Sequence, residues 1–449
     1  MQHKKQTYVC NIQRRHIVRP NKKEVCYAVI SKPKSLLLTW VDKCLVPIYI
    51  MLMTVNFLGD LAGFPRMLKF AGVGVFAIAV LRFLIVFDVE KIKNMGNYLA
   101  IITIPVVIVL SFSIFVWLFN FVSFADMLSA AERLLVQSIN IVVVLGVLYL
   151  FGHHAARYTL YAMSLAYGYI VFRAISRFGV SGFVSDLLVF VRSFGVQAHG
   201  AMKALEVHDM TFAFGFFVVY YFVAPKEEPR RWLCRILAVV CFILGYKRIA
   251  ILGVGAALLY HWYYKGKANK TKALLHLGIL MFVGCYVYII ISRYAIITTV
   301  MNEFGIAMLG RDRLYAFMGQ YYDLSIAFPG YGFNFVRTFL GGLQELGISE
   351  FETASLHNEI VRQYIECGFW GYLIWSYYEL KIRPQWMGQK HGCETMHMYM
   401  LCSIFIFATY LTDNTMYYYH TAFIYRLVPL IVAEDYHARK GLEHATRRE

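Results

Sequence analysis

Long apolar runs separated by short polar segments dominate the chain. The runs contain roughly 17–24 mostly apolar residues, enough for a helix to cross a hydrocarbon core of about 30 Å. Transmembrane strands would need sustained alternation of apolar and polar residues, which these runs lack. The pattern therefore predicts an all-α polytopic membrane protein with twelve spans, at 44–60, 70–88, 98–120, 133–151, 158–176, 208–224, 231–246, 249–264, 273–294, 358–380, 396–412 and 417–433.

The segments between the runs define the predicted organisation. Residues 179–203 are amphipathic and interrupted by glycines, so we expect them on the membrane surface or as a re-entrant element. Residues 1–35 lack the apolar core of a cleavable signal peptide, which predicts a cytoplasmic tail. The chain then divides into a basic N-terminal tail (1–43), spans one to nine (44–294), a large extracytoplasmic connection (295–357), spans ten to twelve (358–433) and a C-terminal tail (434–449).

Composition and charge agree with this topology. Of the 449 residues, 59% are hydrophobic and only 16% are charged, whereas soluble domains carry about a quarter charged residues. The net charge is +17, and more than half of the 44 lysines and arginines fall on the side that would hold both termini. This is the positive-inside pattern, which predicts that both termini lie in the cytoplasm. Topogenic charge and attraction to anionic lipid explain the surplus, so no nucleic-acid partner is predicted.

The cysteine and histidine pattern gives no metal site. The nine cysteines form no CxxC pair, and most lie in spans or on the cytoplasmic side, where thiols stay reduced. His391, Cys393 and His397 share one predicted cytoplasmic connection, but their spacing fits no standard zinc pattern. We therefore favour a solvated loop there and predict no metal or cofactor.

The connection at 295–357 is too long for a structureless loop, so short helices and a function are expected in it. At its end, His357 and Asn358 are followed after nine residues by Gly368 and after two more by Gly371. This arrangement resembles the H-[NSQ]-x9-G-x-x-[GTY] signature of the O-antigen ligase and polymerase superfamily.

Two further segments are similar to that superfamily, and with the signature they cover roughly residues 240–380. Arg311 after a glycine, followed by Tyr315 and the turn FPGYGF at 328–333, resembles its Gly-Arg stretch and Pro-x-Gly-x-Gly turn. Lys247 and Arg248, between two spans, resemble its outer basic pair, although Lys247 stands where members usually have serine.

The residues themselves suit transfer from an anionic donor. A neutral histidine near pH 7 is a suitable general base for a sugar hydroxyl, and His357 is predicted on the outer surface. For a lone histidine, simple capping of the helix is the alternative. Arginine forks bind phosphate, which makes Arg248, Arg311 and Arg313 candidates for a pyrophosphate site. Pairing with nearby acidic residues explains them as well.

The resemblance implies glycosyl transfer from an undecaprenyl-pyrophosphate oligosaccharide, inverting and without a metal. His357 would be the catalytic base, and Lys247, Arg248, Arg311 and Arg313 would bind the pyrophosphate. Asn358 and Asp413 would contact sugar or orient the histidine, although turn chemistry explains Asp413 equally well. A flippase and a chain-length regulator would be partners.

The sequence leaves three activities open. We favour a polymerase, which moves the chain onto another lipid-linked repeat unit. A ligase would use a lipid core, a wall glycan or a protein as acceptor. A transporter of the same lipids is the alternative from another class, but its polar groups should lie near the midplanes of paired spans, whereas here they cluster at one outer loop.

Span ten contains four residues with expected structural roles. Arg362 and Glu366 lie one turn apart, so we expect them to neutralise each other inside the bundle or to face a wet cavity. Gly368 and Gly371 are expected to allow close approach between helices.

Overall fold

The computed structural model describes residues 36–59, 64–120, 123–193, 199–224, 230–303, 311–347 and 355–446. The predicted N-terminal tail, apart from the start of the first helix, lies outside these residues. The fold is 87% helical, and the described part contains no strand. The predicted all-α class is confirmed for this part of the chain.

The helices follow one another with short connections. In chain order they are α1 (Leu36–Leu58), α2 (Gly72–Ile85), α3 (Val89–Asn120), α4 (Phe124–Phe151), α5 (Ala155–Arg192), α6 (Gly200–Leu205), α7 (His208–Val223), α8 (Arg231–Gly245), α9 (Arg248–Lys265), α10 (Lys270–Arg293), α11 (Ile296–Glu303), α12 (Arg311–Gly319), α13 (Phe335–Glu345), α14 (Glu359–Tyr377), α15 (Arg383–His391), α16 (Cys393–Tyr410) and α17 (Tyr419–Thr446).

Among the described residues, four helical stretches are long and apolar enough to cross a membrane: Met67–Ile85, Val89–Phe119, Phe124–Arg192 and Lys270–Arg293. Each of the twelve predicted spans overlaps a helix, but the predicted number of crossings is not confirmed. One reason is length: α7 and α8 have 16 and 15 residues and therefore reach only about 24 Å and 22 Å. Both are shorter than a hydrocarbon core of about 30 Å.

The sequence pattern separates the span at 158–176 from an element that begins at residue 179, and α5 is interrupted at that residue. Gly179 has φ 72° and ψ 162°, which is not helical and which glycine adopts without a steric penalty. A second helical segment follows it directly and ends at Arg192. The position of this segment on the membrane surface or as a re-entrant element stays a prediction.

Three helices form the centre of the bundle, and the peripheral helices present apolar side chains outward. α7, α16 and α17 are buried along most of their length, and the rings of Phe216 and Phe405 meet edge to face at 4.7 Å. On the periphery, large apolar side chains remain about seventy per cent exposed: Leu84, Leu118, Leu252 and Leu280. Apolar surface of this extent suits contact with lipid rather than water.

α14 places the predicted site residues. It begins directly after Asn358, bends at Gly368 and continues through a widened π turn at Tyr378–Ile382 into α15. α3 and α10 pack against its sides. The short helices α11, α12 and α13 belong to the long connection that precedes it, so this connection and the first turn of α14 lie at the same end of the bundle.

Candidate active site

Asn358 fixes the beginning of α14. Its Oδ1 accepts a hydrogen bond from the Val361 N–H at 3.1 Å, which is the usual bond of a helix N-cap. Its Nδ2 donates to the Tyr288 hydroxyl at 3.1 Å, and that hydroxyl donates to the Leu411 carbonyl at 2.6 Å. Asn358 is fully buried. It therefore ties α14 to α10 and to the end of α16, which is a structural role rather than the predicted contact with substrate.

His357 is held in an unusual backbone conformation beside a carboxylate. Its φ is +52°, in the left-handed region that few residues other than glycine adopt, and such strain is frequent at functional sites. The Tyr315 hydroxyl donates to the His357 carbonyl at 2.9 Å. Nδ1 of the imidazole lies 3.8 Å from Oδ1 of Asp413, and the side chain remains 24% exposed. The ring is thus positioned by neighbours while part of it faces solvent.

Asp413 is a buried carboxylate that stays ionised. Its Oδ1 accepts hydrogen bonds from the Tyr418 hydroxyl and the Asn414 N–H, both at 2.8 Å. Burial raises the pKa of Asp413, but interactions with His357, Tyr418 and the Asn414 N–H outweigh it and hold the pKa below its usual value. A carboxylate fixed in this way can orient an imidazole and stabilise its protonated form.

The predicted basic residues have different surroundings. Lys247 Nζ lies 2.6 Å from Glu206 Oε1, so Lys247 is engaged in an ion pair. His208 Nε2 lies 3.4 Å from the same carboxylate oxygen. The bonds from His208 and Lys247 lower the pKa of Glu206 to about 2 despite its partial burial. Arg248, the first residue of α9, is exposed.

Arg311 has the clearest link to His357 among the predicted arginines. It is the first residue of α12 and is half-buried, whereas Arg313 is exposed. Burial raises the pKa of Tyr315 to about 12, with a lowering contribution from Arg311 and a raising one from Asp413. Arg311 and Asp413 therefore both act electrostatically on the tyrosine that holds the backbone of His357.

The two glycines of the signature have separate functions. Gly371 faces the Phe112 ring of α3, where an added Cβ would lie 3.0 Å from the nearest ring atom. Gly368 has φ +69°, and a Cβ there would lie 2.3 Å from the Pro329 carbonyl carbon. Gly371 thus permits close helix approach, as expected. Gly368 instead makes room for a turn of the connection at 295–357.

That turn, residues 328–333, is hydrogen-bonded to the backbone of α14. The N–H groups of Tyr331 and Gly332 donate to the carbonyls of Ile365 and Glu366 at 3.1 and 2.8 Å. In return, the Phe369 N–H donates to the Phe328 carbonyl at 2.9 Å. The bend at Gly368 frees these groups from the helix ladder. The Pro-x-Gly-x-Gly turn and the second half of the signature are therefore one structural unit.

The charges inside α14 pair differently from the prediction. Arg362 pairs with Glu359, not with Glu366. Glu366 accepts hydrogen bonds from the Tyr417 hydroxyl at 3.1 Å and from the Val336 N–H at 3.4 Å. The expected pairing of Arg362 with Glu366 is not formed, because the partners of Glu366 come from distant parts of the chain. Arg362 lines a polar cavity, as the alternative predicted.

A polar cavity of about 340 Å³ opens beside the residues that flank His357 and Asp413. Four cationic side chains line it, and we call it the basic cavity. Lys69, Arg133 and Arg337 were not singled out from the sequence, since they belong to three separate segments with no shared motif. Its lining includes Lys69, Glu132, Arg133, Arg337, Ser355, Leu356, Arg362, Asn414, Tyr417 and Tyr418.

Two less polar spaces lie nearby. An apolar groove of about 380 Å³ runs between α9, α10, α14 and α16 and includes Tyr288, the hydroxyl partner of Asn358. A larger cavity of about 930 Å³ is enclosed by aromatic side chains of the outer connection and the end of α3. Its lining also contains Asp126, Arg293 and Asp323.

His391 and His397, which the sequence placed in one connection, each lie beside another histidine. His391 Nδ1 lies 2.9 Å from His437 Nε2, and His397 Nε2 lies 3.4 Å from His261 Nδ1. Within the part of the chain that the structure describes, no group of three or more metal-ligating side chains converges.

In comparisons with known proteins, the chain matches no family model and no curated sequence. The resemblance to the O-antigen ligase and polymerase superfamily therefore depends on the motifs alone.

Proposed function

We propose that this protein is a glycosyltransferase of the bacterial cytoplasmic membrane that uses an undecaprenyl-pyrophosphate-linked glycan as donor. The observation that supports this most is the position of His357. It lies at the start of α14 beside the buried carboxylate of Asp413, at 3.8 Å, with partial exposure and with cationic side chains nearby. A base, an orienting carboxylate and positive charge are the groups that such a transfer requires.

His357 acts as the general base in this proposal. With Nδ1 facing Asp413, the imidazole takes the acceptor hydroxyl proton at Nε2. The acceptor oxygen then attacks the anomeric carbon from the face opposite the pyrophosphate, and configuration inverts. The bond between that carbon and the pyrophosphate oxygen breaks, and lipid pyrophosphate leaves with the electron pair. Asp413 stabilises the imidazolium that forms.

Arg311, with Arg248 and Arg313, binds the pyrophosphate and stabilises it as it leaves. Arg311 has the best position, because α12 also carries the tyrosine that hydrogen-bonds His357. The apolar groove between α9 and α10 suits the polyprenyl chain, since α9 begins with Arg248 and Tyr288 links the groove to Asn358. Lys247 contributes through its ion pair with Glu206 rather than by direct binding.

The membrane topology belongs to the same proposal. Twelve spans with both termini in the cytoplasm would put His357 on the outer face, where lipid-linked glycans are assembled. The supporting observations are the apolar stretches of α2 to α5 and α10 and the surplus of basic residues on the side assigned to the cytoplasm.

We favour a polymerase, with a ligase as second candidate. A test is reconstitution in liposomes with one defined lipid-linked repeat unit and no other acceptor. A ladder of lipid-linked polymer would identify a polymerase, and product only after adding a lipid core, wall glycan or protein would identify a ligase. Movement of the lipid across the bilayer without any product would mean a transporter.

The variant His357→Ala should abolish product without impairing membrane insertion. His276→Ala is the matched control, because His276 is an exposed residue of α10. Normal product from His357→Ala would refute the proposed base.

A further inference from the structure

Among the described residues, the lining of the basic cavity contains more cationic than acidic side chains. Lys69, Arg133, Arg337 and Arg362 line it, whereas Glu132 is the acidic residue of the lining. Glu359, which does not line the cavity, forms an ion pair with Arg362. Lysine and arginine side chains that converge on one small space repel one another unless an anion lies between them. The charge balance of the cavity therefore favours an anionic ligand.

Two of the arginines share one aromatic ring. The guanidinium of Arg362 lies 3.3 Å from the centre of the Tyr417 ring, and that of Arg133 lies 4.5 Å from it. The ring holds both cations in place by cation–π attraction. Guanidinium groups fixed in this way bind carboxylate or phosphate with little loss of side-chain entropy.

Buried polar atoms in the cavity lack protein partners. Asn414 and Arg362 are each about 5% exposed. Neither Oδ1 of Asn414 nor Nε of Arg362 has a hydrogen-bond partner among the residues that the structure describes. A buried polar atom without a partner destabilises the fold, so a ligand that supplies one is favoured. Nε of Arg362 suits an acidic oxygen, and Oδ1 of Asn414 suits a hydroxyl.

The residues that line the cavity include direct sequence neighbours of His357 and Asp413. Ser355 and Leu356, which line it, immediately precede His357, and Asn414 immediately follows Asp413. A molecule bound there contacts the neighbours of both residues in the chain, although neither His357 nor Asp413 itself lines the cavity. Arg311 and Arg248 belong to other helices, α12 and α9, so the basic cavity is separate from the residues assigned to the donor pyrophosphate.

We propose that the basic cavity binds the acceptor glycan through an acidic sugar, one that carries a carboxylate or a phosphate. Arg133, Arg362, Lys69 and Arg337 hold the acidic group, and Asn414 accepts a hydrogen bond from a sugar hydroxyl. A neighbouring hydroxyl then points toward His357. This inference rests on the proposed function, because it names the class of acceptor for the same reaction.

A binding experiment tests the proposal without requiring turnover. The protein is placed in phosphatidylcholine nanodiscs, which avoid competition from anionic lipid, and is titrated by calorimetry. The probes are a hyaluronan tetrasaccharide, the same tetrasaccharide after reduction of its carboxylates, glucose 1-phosphate and inorganic pyrophosphate. We expect at least one acidic saccharide to bind, and the carboxyl-reduced tetrasaccharide to bind about ten-fold or more weakly than its acidic parent.

The variant Arg133→Gln should weaken the binding of the acidic saccharide by about ten-fold or more. Arg133 is preferable to Arg362, whose removal would leave Glu359 buried without its partner. Lys272→Gln removes one positive charge from the exposed first turn of α10 and should change nothing. His357→Ala should bind the saccharide like the wild type.

Three results would overturn the proposal. The first is equal affinity for the acidic and reduced tetrasaccharides without binding of glucose 1-phosphate. The second is unchanged binding in Arg133→Gln. The third is Arg133-dependent binding of pyrophosphate but of neither acidic saccharide. The last result would identify the cavity as a donor site. If the acidic saccharide binds as expected while the reconstituted protein forms no product, the proposed transfer fails and the binding site stands.

Discussion

Nδ1 of His357 and Oδ1 of Asp413 lie 3.8 Å apart. His357 precedes α14, whereas Asp413 belongs to the connection between α16 and α17. If Asp413 orients the imidazole, Asp413→Asn should lower kcat about 10-fold to 1,000-fold with little change in KM. Initial rates of product formation across pH would measure the effect.

Asp323→Asn is the control for this variant, because Asp323 is an exposed carboxylate of the same outer connection. It should retain the wild-type rate. A comparable loss of rate in both variants would mean that this region is sensitive to any change of charge. It would contradict the orienting role of Asp413.

Gly368→Ala should destabilise the protein strongly. Gly368 has φ +69°, and an added Cβ would lie 2.3 Å from the Pro329 carbonyl carbon and 2.6 Å from the Gly330 nitrogen. Backbone atoms cannot move aside without breaking the hydrogen bonds between the turn 328–333 and α14. We expect a loss of about 2–4 kcal/mol, measured as thermal unfolding in detergent.

Gly255→Ala provides the matched control, since a Cβ at Gly255 of α9 meets nothing within 4 Å. Its effect on unfolding should be small and of either sign. Similar melting temperatures for the two variants would contradict the close packing at Gly368.

Asn358→Ala should cost more stability than removal of an ordinary helix cap. The substitution removes the cap bond to Val361 and the buried hydrogen bond to the Tyr288 hydroxyl, which would keep its bond to the Leu411 carbonyl. We expect a loss of about 2–3 kcal/mol, about 1 kcal/mol from the cap and the rest from the buried bond. Asn269→Ala removes only the exposed cap of α10 and should cost about 1 kcal/mol. Equal losses, compared by chemical denaturation, would argue against the buried link.

The contacts of Glu206 with His208 and Lys247 predict a pH dependence of stability. The pKa of Glu206 is lowered from 4.5 to about 2, so the folded state favours the ionised carboxylate. This stabilisation is complete above about pH 4.5 and is lost as pH falls toward about 2. Glu206→Gln should therefore lose less thermal stability than the wild type between about pH 5 and pH 3. Parallel melting curves against pH would show that these contacts contribute nothing.

Part of the site followed directly from residue order. The apolar run predicted span ten at 358–380, and α14 begins at Glu359. Helix caps and helical runs depend on neighbours within one or two turns, which a sequence displays. The partners of Arg362 and Glu366 did not follow, because several helix neighbours compete for each charge and only the packed fold selects one.

The sequence by itself determined the helical class, the apolar stretches suited to a membrane and the position of the signature at the start of α14, since these depend on local composition and periodicity. Tertiary structure alone decided that Asp413 faces His357, that Gly368 accommodates the turn at Pro329, and that Lys69, Arg133, Arg337 and Arg362 enclose one cavity. These relationships join residues far apart in the chain. They arise from the packing of whole helices, which determines the position of each side chain and leaves no local pattern in the sequence.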